Sequence, residues 1–456
     1  MKACIKVVEP EAYLKSLVAD ESVVDQLICL QFGHKQYYLS GEPVIDLIAV
    51  VGIESGDIVW GAVCAWSEGV EQQLLSCDDR DSVEQWCSSN QVPVFCFNDA
   101  ISLQPIAIPK PWGQEIWYTG IESRGQSNVG SDSSQVPLPW LLALMPSALC
   151  GNNQHNINLL KILDPLPEPV YGDLYYEQHE EKQEVYVVTH VDPSAWPAGV
   201  GGISIGFDDD VRKEFASDEA CKKAFAKAVA GYEVVRRKID DLTDGFRLEQ
   251  GLSLEEPVMA EELKGWLSRV PSDLLAEEVE LRRAMDRFKG VKSLRVGDVL
   301  KVPCYTPHSL MHGVRTIEFQ TPVYERQIIS FAQKVLTQPH WDTQQALASM
   351  DINMPDNQLL AVIEESASVL VEEVVNFDSF YVWRLTLKPG GEFYLDALES
   401  YALAIGVEGQ ANVSQTIITP EQGVLIPGCT GSDQRYIRAG EQGAVLLLSF
   451  PKSLDD

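Results

Sequence analysis

Short runs rich in Val, Ile, Leu and aromatic residues, separated by Gly, Pro and polar turns, recur along most of this 456-residue chain and predict a mainly β protein. In the first hundred residues VIDLIAVVGI and VPVFCF read as buried strands and SVEQWCSS as a short helix, so residues 1–100 are expected to form an N-terminal α/β module. Strand patterns continue from Ile106 through KPWGQEIWYTGIES, with Gly113 and Gly120 as breaks, and then through LLKILDPLP and VGGISIGF. Between them RGQSNVGSDSSQVPLP, residues 124–139, reads as a polar loop. From Ser217 to about Ile239 the period turns helical, with Cys221, Phe225, Ala228, Tyr232, Val235 and Ile239 on one face. A second helix is expected over Glu261–Arg269, stopped by Pro271. A third is expected over Asp273–Phe288, capped by Ser272, closed by Lys289-Gly290, with Leu275, Val279 and Met285 inward. Strands resume at Ser293, and after the short helix TQQALASM a last set follows: YVWRLTLKPGGEFYL, YALAIGVEG, GVLIPG and GAVLLLSF. Their even spacing predicts a second jelly-roll-like sandwich. The resulting division is 1–100, 101–210 with 291–338, a helical insertion at 211–290, and 339–456.

Charge narrows the partners. The chain carries a net charge of −32, a field that repels phosphate polymers and anionic membranes, so neither nucleic acid nor a membrane surface is expected as a partner. Any anionic substrate needs a local basic pocket. No run approaches the roughly 20 apolar residues of a membrane span, and MKACIKVVEP does not read as a signal peptide. The ten cysteines form no CxxC pair and read as reduced, mostly buried thiols of a cytoplasmic protein.

Candidate chemistry is concentrated in two places. LYYEQHEEKQEVYVVTH packs Glu177, His179 and Glu184 ahead of an apolar strand, and VLKVPCYTPHSLMHG offers His308 just after a turn. On a strand Glu177 and His179 point the same way, and a tight turn at HEEKQ lets Glu184 face them from the next strand. Two carboxylates and two imidazoles form a complete set for a divalent ion: zinc first, with manganese, iron or nickel on ligand type alone. The alternative is a solvated acidic turn, since Glu180 and Glu181 lie there too, and a hydrogen-bonded core histidine at 308. His34, His155, His190 and His340 have no carboxylate at ligand spacing, and His312 reads as a loop residue.

Taken together, KPWGQEIW, the Glu-x-His followed by KQEVYVV, VGDVLKVPCYTPHSL and IEFQTPVYER resemble the type I mannose-6-phosphate isomerases of the cupin superfamily, over roughly residues 105–450. The resemblance implies cupin domains with the helical insertion between the two metal segments, a C-terminal metal-free cupin-like domain, and zinc held by Glu177, His179, Glu184 and His308. It also implies that Lys182 is the lysine of the Lys-x-Glu motif and that Glu318 and Arg326 face the sugar. Lys110 and Trp112 match the KPWG strand as substrate-side residues, although an aromatic at this position is more often core. The sequence departs from the family in four respects: Glu in place of Gln at 177, a shortened loop before Lys182, YERQIISF around Arg326, and an unmatched N-terminal hundred residues.

The expected activity is therefore aldose–ketose isomerisation of a phosphosugar, mannose 6-phosphate to fructose 6-phosphate, through an enediol. Lys182 and the metal would serve the oxygens, Glu318 would be the base and Arg326 would hold the phosphate. Two other readings stay open: a metal cupin with different chemistry, such as an iron oxygenase or another sugar isomerase, and a sugar-binding protein without turnover. The N-terminal module is left with three roles: covering the site, binding a partner, or pairing two copies into a homodimer.

Overall fold

The computed structural model describes every residue except 1–2, 21–23, 154–156, 257, 357–358, 396–397, 429–434 and 453–456. Cys429 and His155 therefore lie outside the described residues. The chain is mainly β, of cupin-like architecture with helical parts. It divides into two compact units: Met1–Ile106 with Trp117–Leu160 and Leu359–Asp456, and Ala107–Ile116 with Lys161–Gln358. No helix among the described residues is long and apolar enough to cross a membrane. The nine described cysteines are free thiols.

The first unit holds a five-stranded sheet in the order Cys4–Lys6, Gln26–Lys35, Val44–Glu54, Asp57–Ala65, Phe95–Cys96. Its first pair is parallel and the rest are antiparallel. Helices Pro10–Val18, Glu68–Leu75 and Arg80–Ser89 accompany it. Asp79 starts the last of these with a capping box: its carboxylate accepts from Ser82 N while the Ser82 hydroxyl reaches back. The same unit carries the eleven-stranded sheet built largely from the C-terminal strands.

Residues 124–139 are not a loop. Asn128–Ser131 and Ser134–Pro137 form a hairpin at the end of that large sheet, with Asn128 and Val129 opposite Gln104 and Leu103. The local composition is that of a turn. The strands exist because Val129 and Val136 alternate into the core, where both are buried, and because Ile101–Gln104 supplies a pairing edge far away in sequence.

The second unit contains two sheets. One, of six strands, runs Val299–Val302, Glu184–Val191, Val314–Gln320, Leu159–Pro165, Gly113–Trp117, Ile106–Lys110. The other, of five, runs Lys289–Leu294, Gly201–Phe207, His308–Leu310, Tyr176–Gln178, Gln327–Ser330. Gly113 opens its strand at φ +143°, where a Cβ would sit 2.3 Å from the Asp164 carbonyl oxygen, so no larger residue fits without moving backbone.

The helical insertion packs on this unit through one long helix, Asp218–Glu249, which starts at an N-cap bond from Ser217 to Ala220 N. Phe225 meets Tyr176, Phe207 and Phe288 edge-on, and Tyr232 stacks on Trp341. This helix runs ten residues beyond Ile239. Its buried stripe continues with Asp240, Thr243 and Arg247, which are polar and drop out of an apolar periodicity. Arg236 and Asp240 pair in the interior at 2.9 Å, and Arg247 binds the carbonyls of Ser253 and Glu256. The next two helices are Ala260–Leu267 and Ser272–Asp286. Pro271, not Ser272, stands at the cap of the third, with no side-chain cap bond, and Lys289-Gly290 begins a strand rather than closing a helix. A proline just outside the first turn presets the entry angle, which leaves Ser272 as the first helical residue.

Candidate metal centre

Three short segments bring the four candidate ligands together. Tyr176–Gln178 and His308–Leu310 are antiparallel neighbours in the five-stranded sheet, with Glu177 directly opposite His308, so both side chains leave the sheet on one face. His179 follows one residue past the strand end. Glu184 opens the strand Glu184–Val191 in the six-stranded sheet and meets them from across the sandwich.

Local hydrogen bonds fix the approach. The turn before His308 carries Tyr305 at φ +63°, which places its N–H on the His179 carbonyl at 2.6 Å. Glu325 accepts from Glu180 N and Glu181 N, closing the HEEKQ turn.

The distances describe a nest of donors. Glu184 Oε2 lies 3.4 Å from both His179 Nε2 and His308 Nε2, and His179 Nε2 is 3.9 Å from Glu177 Oε1. One ligand atom each from Glu177, His179 and His308 fall within 4.8 Å of one another. The second ring nitrogen of each histidine is committed: His179 Nδ1 to Glu325 O at 3.1 Å and His308 Nδ1 to Thr306 O at 3.0 Å. A carbonyl only accepts, so both Nδ1 atoms carry the proton, which leaves Nε2 as the metal-binding position of each ring. Those Nε2 atoms, together with Glu177 Oε2, are buried without any hydrogen bond. Burial, aided by Lys182, holds His179 below the ordinary imidazole range, in its neutral form. Two imidazoles with unbonded Nε2 atoms and carboxylates around an orphaned centre fit a divalent cation, which would satisfy all of these atoms at once.

Cations line the remainder of the cluster. Lys182 Nζ is 2.5 Å from Glu184 Oε1. Burial alone would raise the Glu184 carboxyl, but Lys182 and then His179 bring it well below the carboxylate range. Arg326 is directed at Glu177, 3.9 Å away, over the Tyr175 ring, and also donates to Thr337. Against burial, Arg326 keeps Glu177 below the usual range, offsetting the charge that Glu adds where the resembled family has Gln. Tyr186 donates to Glu184 Oε2 at 3.0 Å.

Two members were not anticipated, Lys161 and Glu115. Lys161 Nζ lies 3.3 Å from Glu318 Oε2 and 3.8 Å from Glu115 Oε2, and Lys110 pairs with Glu115 at 3.1 Å. Burial lowers Lys161, but Glu115 and then Glu318 outweigh it and raise the ammonium above its ordinary value. Glu318 is different: burial pushes its carboxyl well above the carboxylate range, with Lys161 opposing only in part. The signal in the sequence was a lysine inside the otherwise apolar strand LLKIL.

The expected substrate-side pair separates. Lys110 reaches the charged cluster through Glu115. Trp112 does not: it sits in the turn between the strands Ile106–Lys110 and Gly113–Trp117 and is 1% exposed inside the hydrophobic core with Leu163, Tyr175 and Tyr176. His340 does have a carboxylate after all, Asp342 Oδ1 at 3.2 Å, but the pair sits at the surface. His312 bonds Asp173 at 2.7 Å and stacks on Trp196.

Fold and cluster together define a cupin-like protein with a buried Glu/His nest able to hold a metal ion. Among solved structures the chain is similar to the mannose 6-phosphate isomerase from Bacillus subtilis, at 13% identity, covering 77% of this chain and 99% of that one, TM-score 0.51. It is similar also to a point mutant of phosphomannose isomerase from Salmonella typhimurium, at 14% identity, covering 78% and 100%, TM-score 0.52. At these identities the likeness is one of fold. No protein-family model and no curated protein sequence matches the chain.

Proposed function

We propose that this protein is a metal-dependent aldose–ketose isomerase of a phosphosugar, with mannose 6-phosphate to fructose 6-phosphate as its reaction. The observation that carries the reading is the pair of imidazoles with unbonded Nε2 atoms set against Glu184, beside buried lysines and an arginine. The substrate is taken from the names of the two similar proteins.

Glu177, His179, Glu184 and His308 would hold the ion. Zinc suits the O/N donor set, and manganese, iron and nickel are compatible with it. When bound, such an ion stabilises negative charge on a substrate oxygen. The chain's own residues account for the proton movements. Glu318 serves as the acid as well as the base expected from the sequence, because its dry surroundings hold the carboxyl above the carboxylate range. It gives its proton to the carbonyl oxygen at C1 and, now ionised, takes the proton from C2, leaving the enediol. It then returns a proton to C1 and accepts the one on the C2 hydroxyl, so the ketose forms and the carboxyl ends protonated. Lys161, 3.3 Å away, stabilises the ionised interval. Lys182 donates to the substrate oxygens, and Arg326 binds the phosphate through its planar fork. These cations supply the local positive field that an anionic sugar needs within a chain of net charge −32.

The test is a coupled assay of mannose 6-phosphate conversion on protein of measured metal content. Turnover lost to chelator and restored by zinc is the expected result. Protein that carries one metal per chain and turns over no mannose 6-phosphate would overturn the substrate and leave the metal centre standing.

A further inference from the structure

The first unit contains a cavity of about 620 Å³ that the isomerase reading does not use. It is a cleft, partly open to solvent, lined by the helix Pro10–Val18, the end of the strand Gln26–Lys35, and the helices Leu138–Leu144 and Pro146–Cys150. Its volume is within the range of clefts that take small organic molecules.

The lining is chemically divided. Phe32 and Leu142, both nearly buried, and Pro10 and Pro139 make an apolar wall. His34 is 7% exposed and contributes a ring whose Nε2 is at the 3.5 Å limit from Tyr38 Oη. No described residue bonds its other nitrogen. Burial lowers the His34 pKa, so at neutral pH the ring offers one donor and one acceptor.

At the other side Glu11 is fully committed. It accepts from Ser147 N, Ser147 Oγ and Ala148 N at 2.7 to 2.8 Å and pairs with Lys15 at 3.1 Å. Lys15 Nζ also donates to Ser147 Oγ at 2.6 Å. An ammonium has three donors; two are spent on Glu11 and Ser147, which anchor it, and the third is left for the cavity. The Glu11 carboxylate, by contrast, has its bonds made within the wall; the other charges of the lining are the exposed Glu9 and Lys35, the latter paired with Glu42, so Lys15 is the cation set against the apolar wall.

We infer that this cavity binds a small apolar acid: a ring-bearing body against Phe32 and Leu142, its anionic group on Lys15 and a second polar atom on His34. The site is separate from the Glu/His nest and stands whether or not the isomerase reading holds.

A matched pair of probes tests it on the full chain at neutral pH: the aromatic acid anilinonaphthalene sulfonate, and phenylnaphthylamine, which lacks the sulfonate. Expected is one saturable site for the acid in the micromolar range, with the uncharged probe and the Lys15→Gln variant each about tenfold weaker, the size of a charge-assisted hydrogen bond. Leu142→Trp, which fills the cavity, should abolish saturable binding. Should that variant fail to fold, Lys15→Gln at an exposed position and the probe pair still decide. Absence of saturable binding, equal affinity for the two probes, or an affinity unchanged within about twofold in Lys15→Gln would each overturn the inference.

Discussion

At the scale of single residues, the cluster divides into groups that sequence reasoning can reach and groups that it cannot. Glu177, His179, Glu184 and His308 stand out because they are polar residues crowded at strand ends. Lys161 is a lone charge in an apolar strand whose partners, Glu115 and Glu318, are distant in sequence, so only the folded sheet pairs them; Glu115 meets Lys110 from the adjacent strand, close by in sequence. Replacing His308 or His179 by Ala removes a donor that has no substitute nearby. Metal bound per chain, read by mass spectrometry on folded protein, is expected to drop at least about tenfold. Lys161→Met removes the ammonium beside Glu318 while Lys110 stays on Glu115, and should cost about 2 kcal/mol in denaturant unfolding, the range for leaving a buried polar group without its partner. Asp173 offers a pH test away from this cluster. Although burial opposes it, two bonds from His312 hold its carboxyl below the ordinary value of 3.8. The unfolded chain therefore takes up this proton first as pH falls, so the stability Asp173 contributes is present above about pH 4 and is lost as pH drops through the folded pKa. Asp173→Asn should cost about 2 kcal/mol at pH 7, and the gap to the parent should close toward pH 3.

Among elements, the strands of the second unit were legible because their apolar runs are continuous, as buried strands require. The long helix was legible only for its apolar half. Beyond Ile239 its inward positions are Asp240, Thr243 and Arg247, and no hydrophobic pattern can record a stripe whose burial is satisfied by ion pairs and carbonyls. That half depends on its pairs more than on its surface. Arg236→Met leaves Asp240 buried without its 2.9 Å partner and should cost about 3 kcal/mol, whereas Lys238→Ala on the exposed face of the same turn should stay within about 0.5 kcal/mol. Ser217→Ala removes the N-cap bond and should cost about 1 kcal/mol. Urea melts of the three variants check the order. The hairpin Asn128–Pro137 shows the opposite failure: a sequence of turn residues becomes strand because a distant edge and two inward valines require it.

For the whole molecule, the proposed ligand set is divided between two sheets, so a bound ion would be a brace across the second unit. An ion present at about a thousand times its dissociation constant adds about 4 kcal/mol to folding, which for a unit of this size is on the order of 10 °C in Tm. Calorimetry with and without chelator should show that shift in one transition, and His308→Ala should show none. The division of the chain into two units was not legible, since the residues that close the first unit come from both ends of the sequence and only long-range strand pairing joins them. The same layout orders events while the chain is being made. Glu177, His179 and Glu184 leave the ribosome together, but the entire helical insertion must follow before His308 appears. At about 5–20 residues per second that delay is on the order of ten seconds. Through that interval the nascent protein displays an incomplete set of donors, so the proposed centre would be complete only after the insertion has been synthesised, and a chain stalled within it would lack His308.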